Sequence, residues 1–118
     1  MYGIRSNLNL NFLIGRTLVQ ICVGENDLVL NFDGQLSITV MSSIGCTTKA
    51  INIDRYEDFR KAAGDLFVFL NKTIQSATFK NNSTLILSFL ENRRIEIYDD
   101  SKEFESFVIN YGNEIIVV

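Results

Sequence analysis

The sequence predicts an α+β fold that is mostly antiparallel β: two repeated three-stranded meanders joined by one short helix, with a C-terminal β-hairpin. The stretches 17–40, TLVQICVGENDLVLNFDGQLSITV, and 73–98, TIQSATFKNNSTLILSFLENRRIEIY, share the same order of strands and turns around a Leu-x-Leu-x-Phe segment. Their alternation of apolar and polar residues is typical of strands with one buried face. Segments 9–16 and 65–72 precede the two copies at one common separation and predict a short helical turn before each.

The length and composition favour a single domain over residues 1–118, with repeat units at about 10–41 and 66–98 and the hairpin at 104–118. The chain has 118 residues, 47% of them hydrophobic and 21% charged, and it contains no proline. A chain of this length can bury roughly two-thirds of its unfolded surface, which is enough for one shared core.

The first meander follows from local patterns. Residues 17–23 carry apolar side chains on both sets of alternate positions, which predicts partial cover on both faces and a buried free thiol at Cys22. Residues 24–27, GEND, have turn chemistry. Residues 28–32 form the second strand, and the Asp-Gly pair at 33–34 predicts a tight hairpin.

The second meander repeats this order with small insertions. The separation between equivalent residues is 56 at Thr17 and Thr73. It grows along the chain, which predicts one extra residue in the first turn of the second copy and two in its second turn. On that alignment Ile38 corresponds to Ile97. Insertions in turns are tolerated because turns lie at the surface.

The linking helix is predicted over residues 54–64, DRYEDFRKAAG. Asp54 serves as N-cap with Glu57 three residues later, the spacing of a capping box, and Gly64 is a natural stop. A short strand is predicted before it, over 50–53.

The C-terminal hairpin consists of a strand over 105–109, a turn at 111–113 (YGN) and a closing strand at 114–118 (EIIVV). A strand this apolar must be covered, paired within its sheet or paired with another chain.

Several function classes conflict with the composition. The chain has no histidine, which removes Ser–His and Cys–His nucleophilic pairs and histidine metal ligands. Gly-rich phosphate-binding motifs are absent, and Cys22 and Cys46 are too few for a structural zinc site. The net charge of −3 disfavours nucleic acid as a partner. The sequence therefore predicts a non-enzymatic protein without a cofactor or metal.

No segment suggests a membrane span or a secretory signal. The longest unbroken apolar stretch is LFVFL at 66–70, whereas a span needs about 20 such residues. We therefore expect no membrane association and a cytoplasmic location.

One region combines acidic and aromatic residues, the mixture that would suit a surface for a basic protein partner. The alternative is a solvated loop between two strands, with Phe107 in the core. The candidate partner-binding residues are Tyr98, Asp99, Asp100, Glu103, Phe104, Glu105, Tyr111 and Glu114.

The motifs LIGRTL (13–18), LVLNFDGQLSI (28–38) and FESF (104–107) together resemble a family of small bacterial β-rich proteins that is similar to immunity proteins of polymorphic toxin and contact-dependent inhibition systems. The resemblance spans residues 10–118. It implies a cytoplasmic protein that neutralises a cognate toxin domain by stoichiometric binding. If the toxin is a nuclease, its active-site face would be basic, and the acidic run at 98–105 is the expected contact.

Two alternatives remain open. The first is a self-associating or small-ligand-binding β domain, because the unshielded strand at 114–118 could pair with a second molecule and form a homodimer. An enzyme that uses carboxylates would need a pocket holding two acids about 5–9 Å apart.

Overall fold

The computed structural model describes residues 9–47, 53–81, 83–101 and 105–118. Within these ranges, ten strands form two five-stranded antiparallel sheets beside a short α-helix, which confirms the predicted fold class. The strands are β1 (Leu18–Val23), β2 (Leu28–Phe32), β3 (Leu36–Val40), β4 (Ser43–Thr47), β5 (Asp54–Tyr56), β6 (Ser76–Lys80), β7 (Thr84–Ser88), β8 (Arg94–Tyr98), β9 (Phe107–Tyr111) and β10 (Glu114–Val117), and the helix α1 is Phe59–Leu66.

The two sheets are interlocked by exchanged hairpins. Sheet 1 has the order β1-β2-β3-β9-β10, and sheet 2 has the order β5-β4-β8-β7-β6. Each sheet therefore contains the three strands of one copy and the following hairpin of the other. The inward side chains of both sheets and of α1 belong to one hydrophobic cluster.

A 3-10 turn precedes each meander, as the sequence pattern predicts. The turns are Asn11–Leu13 and Phe67–Phe69, 56 residues apart, and Gly15 and Asn71 follow them with φ angles of 86° and 65°. The equal conformations make the duplication visible outside the strands.

The two copies also meet at equivalent residues. The Leu18 N–H donates to the Lys72 carbonyl at 3.0 Å, and the Ile74 N–H donates to the Arg16 carbonyl at 2.9 Å. Because the partners exchange roles across the contact, the two halves are related by an approximate two-fold axis at this point.

The second hairpin turn has the same length in both copies. The loops at 33–35 and 90–92 each contain three residues. Positive φ angles occur at Gly34 (71°), Gln35 (61°), Glu91 (65°) and Asn92 (60°). Ile38 and Ile95 each pair with the middle leucine of the Leu-x-Leu-x-Phe segment, so Ile95 rather than Ile97 matches Ile38. The predicted two-residue insertion is wrong because the shared loop geometry sets the register.

Strand β1 is more exposed than its pattern predicts. Val19, Cys22 and Val23 are exposed, whereas Cys46 in β4 is buried, and both cysteines are free thiols. The prediction of a buried Cys22 is wrong because β1 lies at the edge of sheet 1 and Cys22 points away from the core.

Helix α1 begins later than predicted and runs past Gly64. Asp58, not Asp54, is its N-cap, and the Asp58 carboxylate accepts a backbone N–H two residues on. Residues 54–56 pair with β4 instead, so long-range strand pairing overrides the local capping signal. The strand predicted over 50–53 lies almost wholly outside the described residues.

The C-terminal hairpin is confirmed. Tyr111 pairs with Glu114, and the tight turn between them contains Gly112 with φ of 58°.

Candidate protein-interaction surface

The outer face of sheet 2 carries a polar cluster where the chain crosses between the sheets. β8 ends at Tyr98, beside the start of β4 at Ser43. The Ser42 hydroxyl donates to the Tyr98 carbonyl, and the Met41 N–H donates to the Ser106 carbonyl at 2.9 Å. These bonds fix the two crossing segments against each other, so the side chains that follow have a defined position.

Asp100 is the centre of this cluster. Its carboxylate accepts hydrogen bonds from the Ser43 hydroxyl and from the Arg55 Nη2, and the Arg55 Nε donates to the Ser43 hydroxyl at 3.3 Å. The Arg55 side chain is 50% exposed and the Asp100 side chain 34%. The ion pair is therefore open to solvent on one side and held in place on the other.

Arg55 also stacks on an aromatic ring. Its guanidinium carbon lies 3.9 Å from the centroid of the Tyr98 ring, within cation–π range. The ring in turn lies over Gly45, where a Cβ would overlap the Tyr98 hydroxyl. Gly45 thus allows the flat Tyr98–Arg55 stack to lie close to the sheet.

A second ion pair borders the stack. The Arg94 Nε donates to the Glu96 carboxylate at 2.7 Å, and the Tyr98 hydroxyl lies 3.4 Å from the same carboxylate. Burial, together with the nearby Glu96 charge, raises the pKa of Tyr98 to about 12. The phenol is therefore neutral at physiological pH and can act as a hydrogen-bond donor.

Asp99 points to the other side of the crossing. The buried Ser106 hydroxyl donates to the Asp99 carboxylate at 2.7 Å and accepts from the Ser101 N–H at 3.1 Å. Asp99 and Asp100 therefore both contact partners within the chain. Glu105 is half-buried nearby, and the predicted residues Glu103 and Phe104 lie outside the described residues.

Tyr111 and Glu114 lie elsewhere. They pair with each other at the far end of β9, four residues beyond Phe107, which corresponds to roughly 14 Å along an antiparallel strand. The Tyr111 hydroxyl accepts from the Arg16 Nη2 at 2.8 Å, and its ring stacks on Phe12 at 5.0 Å. The structure therefore divides the predicted acidic and aromatic region into two separate places.

Sequence reasoning misses Ser43 and Arg55, which complete the cluster. The local pattern predicts a helix at Arg55 and no strand around Ser43. The two residues lie 57 and 45 positions from Asp100, so no local spacing connects the three. The available signal was the repeat: a duplicated meander needs a partner strand beside β8.

A small cavity of about 240 Å³ lies beside the second copy's 3-10 turn and its 90–92 loop. Its lining residues are Asn71, Lys72, Thr73, Gln75, Phe89, Leu90, Glu91 and Arg93. In the first copy, the guanidinium of Arg16 lies against Gly34. Lys72 and Glu91 occupy the corresponding positions of the second copy, and both line the cavity.

Among residues 9–47, 53–81, 83–101 and 105–118, no three His, Cys, Asp or Glu side chains converge on a possible metal site. None of the helical segments in those ranges has the length and apolar character needed to cross a bilayer.

Comparisons with models of protein families, with curated proteins and with solved structures found no match to this chain.

Proposed function

We propose that this chain is a protein-binding module that acts by stoichiometric contact, in the manner of the toxin-neutralising immunity proteins that its sequence resembles. The observation that supports this function best is the Tyr98–Arg55 stack on the outer face of sheet 2, together with the Asp100 carboxylate that holds it. We call these three residues the sheet 2 cluster.

The sheet 2 cluster has the side chains that dominate protein interfaces. Tyrosine and arginine are enriched among hot-spot residues, whose truncation costs about 2 kcal/mol or more of binding free energy. Here the Arg55 guanidinium is restrained by Ser43, Asp100 and the ring beneath it. Because the rotamer is already fixed, less conformational entropy is lost on binding than for a free surface arginine.

The charges favour a partner with basic groups. Arg55 compensates Asp100, and Arg94 compensates Glu96. Glu105 places a further half-buried carboxylate near the crossing, and the chain as a whole has a net charge of −3. We therefore propose a toxin domain whose active-site face is basic, as in a nuclease, with the long-range attraction increasing the association rate.

The test is binding to the product of the gene immediately upstream of the chain's own gene. Isothermal titration should give one-to-one binding at or below micromolar Kd, and co-expression should restore growth to cells that make the toxin. Arg55→Ala should weaken binding about 30-fold or more, since 2 kcal/mol corresponds to that factor. Arg60→Ala removes an exposed arginine of α1 that is not part of the sheet 2 cluster, and it should have no effect.

Absence of binding at micromolar concentration would count against the toxin-neutralising role. Equal weakening by Arg55→Ala and Arg60→Ala would count against the sheet 2 cluster as the contact, even if the partner is correct.

A further inference from the structure

The outer edges of the two sheets differ in how well they are protected against strand addition. Edge strand β1 is interrupted by a register shift between Leu18 and Gln20. The exposed side chains of edge strand β6 are polar (Ser76, Thr78 and Lys80), and edge strand β5 is only three residues long, with Asp54 and Arg55 exposed. Short length, irregularity and charge are the common means by which proteins block edge pairing.

Strand β10 differs from these three edges. It is regular, and its exposed apolar side chains are Ile115, 67% accessible, and Val117, 43% accessible. Glu114 supplies a charge only at its first position, next to the turn.

The hydrogen-bond pattern shows which backbone groups of β10 face outward. The Val118 N–H donates to the Phe107 carbonyl at 2.9 Å, and the Phe107 N–H donates back at 3.4 Å. Hydrogen-bonded and non-hydrogen-bonded pairs alternate along an antiparallel ladder. The N–H and C=O groups of Ile116 therefore face β9, and those of Ile115 and Val117 face away from the sheet.

The outer face of sheet 1 beside this edge carries no charged side chain on its two central cross-strand rows in the described strands. One row leads to Val117 and the other to Ile115. The members of the two rows are Cys22, Val29, Thr39, Val108 and Val117, and Gln20, Asn31, Ser37, Asn110 and Ile115.

We propose that a second copy of this chain adds to β10, with the two β10 strands antiparallel about a two-fold axis at Ile116. In this register Ile115 lies opposite Val117 of the second molecule, and Val117 lies opposite Ile115 of the second molecule. All the outward N–H and C=O groups of Ile115 and Val117 then form hydrogen bonds with the other molecule. Ile116 lies opposite its equivalent on the inner face, in a non-hydrogen-bonded pair with close side chains.

We choose a second molecule of this chain rather than another protein because the two-fold axis at Ile116 places the exposed apolar side chains Ile115 and Val117 opposite each other in both cross-strand pairs. The Glu114 side chains of the two molecules lie at opposite ends of the paired strands, so no like charges meet at the centre of the pairing. A four-residue pairing buries less than the roughly 1,200–2,000 Å² of stable interfaces. We therefore expect a reversible dimer with Kd in the micromolar range, and the dimer does not depend on the proposed toxin partner.

Sedimentation equilibrium from about 1 µM to about 500 µM tests the proposal on the full chain, because a reversible dimer dissociates on dilution. The average mass should rise from 13.4 kDa toward twice that value. Ile115→Lys should weaken dimerisation tenfold or more, as lysine does at natural sheet edges. Gln20→Lys, on the same outer-face row at the opposite edge of the same sheet, is the matched control and should leave the dimer unchanged.

Proline substitutions test the hydrogen-bond pattern. Val117→Pro removes an N–H that the chain's own ladder does not use, so the variant should fold and lose the dimer. Ile116→Pro removes an N–H that faces β9 and should lower the midpoint of thermal unfolding. In the wild type, exchange of the Ile115 and Val117 amides should slow as concentration rises.

A chain that stays monomeric across the whole range would overturn the proposal and leave β10 for a strand of another protein. A dimer that survives both Ile115→Lys and Val117→Pro would also overturn the proposal, as would a dimer that Gln20→Lys disrupts as strongly as Ile115→Lys does.

Discussion

The hydroxyl oxygens of Thr17 and Thr73 lie 2.9 Å apart, and the two residues also form an isolated antiparallel bridge. They occupy the same position in the two copies of the repeat, so each copy contacts the other through its own equivalent residue. The approximate two-fold axis passes between them. The fold is therefore best described as one duplicated unit that closes on itself by exchanging hairpins.

The hydroxyl pair should stabilise the junction between the copies. Thr17→Val and Thr73→Val keep the side-chain shape and remove one hydroxyl each, leaving the half-buried partner without its bond. Each should lower the free energy of unfolding by about 1 kcal/mol, and the double variant should show a coupling of about 0.5–1 kcal/mol. Urea unfolding measures both, with Thr78→Val on an exposed position of β6 as control. Additive single effects would show that the hydroxyls do not interact.

Replacing Gly34 and Gly64 by alanine should change the free energy of unfolding in opposite directions. Gly34 has a φ of 71°, and a Cβ there would overlap the guanidinium of Arg16, which would have to leave Tyr111. Gly34→Ala should therefore lower the free energy of unfolding by more than about 1 kcal/mol. Gly64 lies inside α1, and a methyl group added there would meet no neighbouring side chain within 4 Å. Gly64→Ala should therefore raise the free energy of unfolding by up to about 1 kcal/mol.

Equal effects of the two glycine substitutions on the urea midpoint would contradict the conformation of the 33–35 loop. The comparison is informative because the same methyl group is added in both variants.

The two cysteines should differ in reactivity. Burial raises the pKa of Cys46 to about 12, with smaller contributions from the charges of Asp65 and Asp54, whereas Cys22 is exposed. Because the thiolate is the reactive form, a disulfide reagent at pH 8 should label one thiol per folded chain. Cys22→Ser should abolish the fast reaction, and Cys46→Ser should leave it intact. Rapid labelling of two thiols would show that the β4 region opens readily.

Stability should fall at alkaline pH through Tyr56. The hydrogen bond that Tyr56 donates to Asp65 is the largest cause that raises the pKa of Tyr56 to about 12, from an ordinary value of 10.0. Below pH 10 the phenol is neutral in both the folded and the unfolded chain. Between the two values only the unfolded chain ionises, so this stabilising contribution is lost as the pH rises.

Urea unfolding between pH 9.5 and about 11.5 measures the loss. Tyr56→Phe should show a shallower decline than the wild type. Asp65→Asn, which keeps the phenol and removes the carboxylate, should resemble Tyr56→Phe. Identical slopes for all three proteins would rule out the Tyr56–Asp65 contact as the cause.

Features governed by neighbouring residues could be predicted from the sequence. The 33–35 loop, the two 3-10 turns and the C-terminal hairpin each follow from glycine positions, alternation or a repeated local pattern. Their backbone conformations are favoured by the residues within them, so the sequence signal and the structure agree.

Features set by distant contacts could not be predicted. β4 has a weak pattern because Gly45 and the serines around it carry little apolar signal, and it becomes a strand by pairing with β8. Asp54 has the right spacing for a helix cap but belongs to β5, because pairing with β4 outweighs the cap. The sheet 2 cluster depends on that same pairing, which explains why local patterns do not identify Arg55.

Native-state hydrogen exchange tests the central claim, that the two copies form one interlocked body, most directly. Leu30 lies in the middle strand of sheet 1's first-copy meander, and Leu87 lies at the equivalent place in sheet 2. Because each sheet contains strands of both copies, both amides should exchange only on global unfolding, with opening free energies equal within about 1 kcal/mol. If the amides of one sheet exchanged with an opening free energy several kcal/mol lower than those of the other, the two repeats would be independent units and the interlocked description would be wrong.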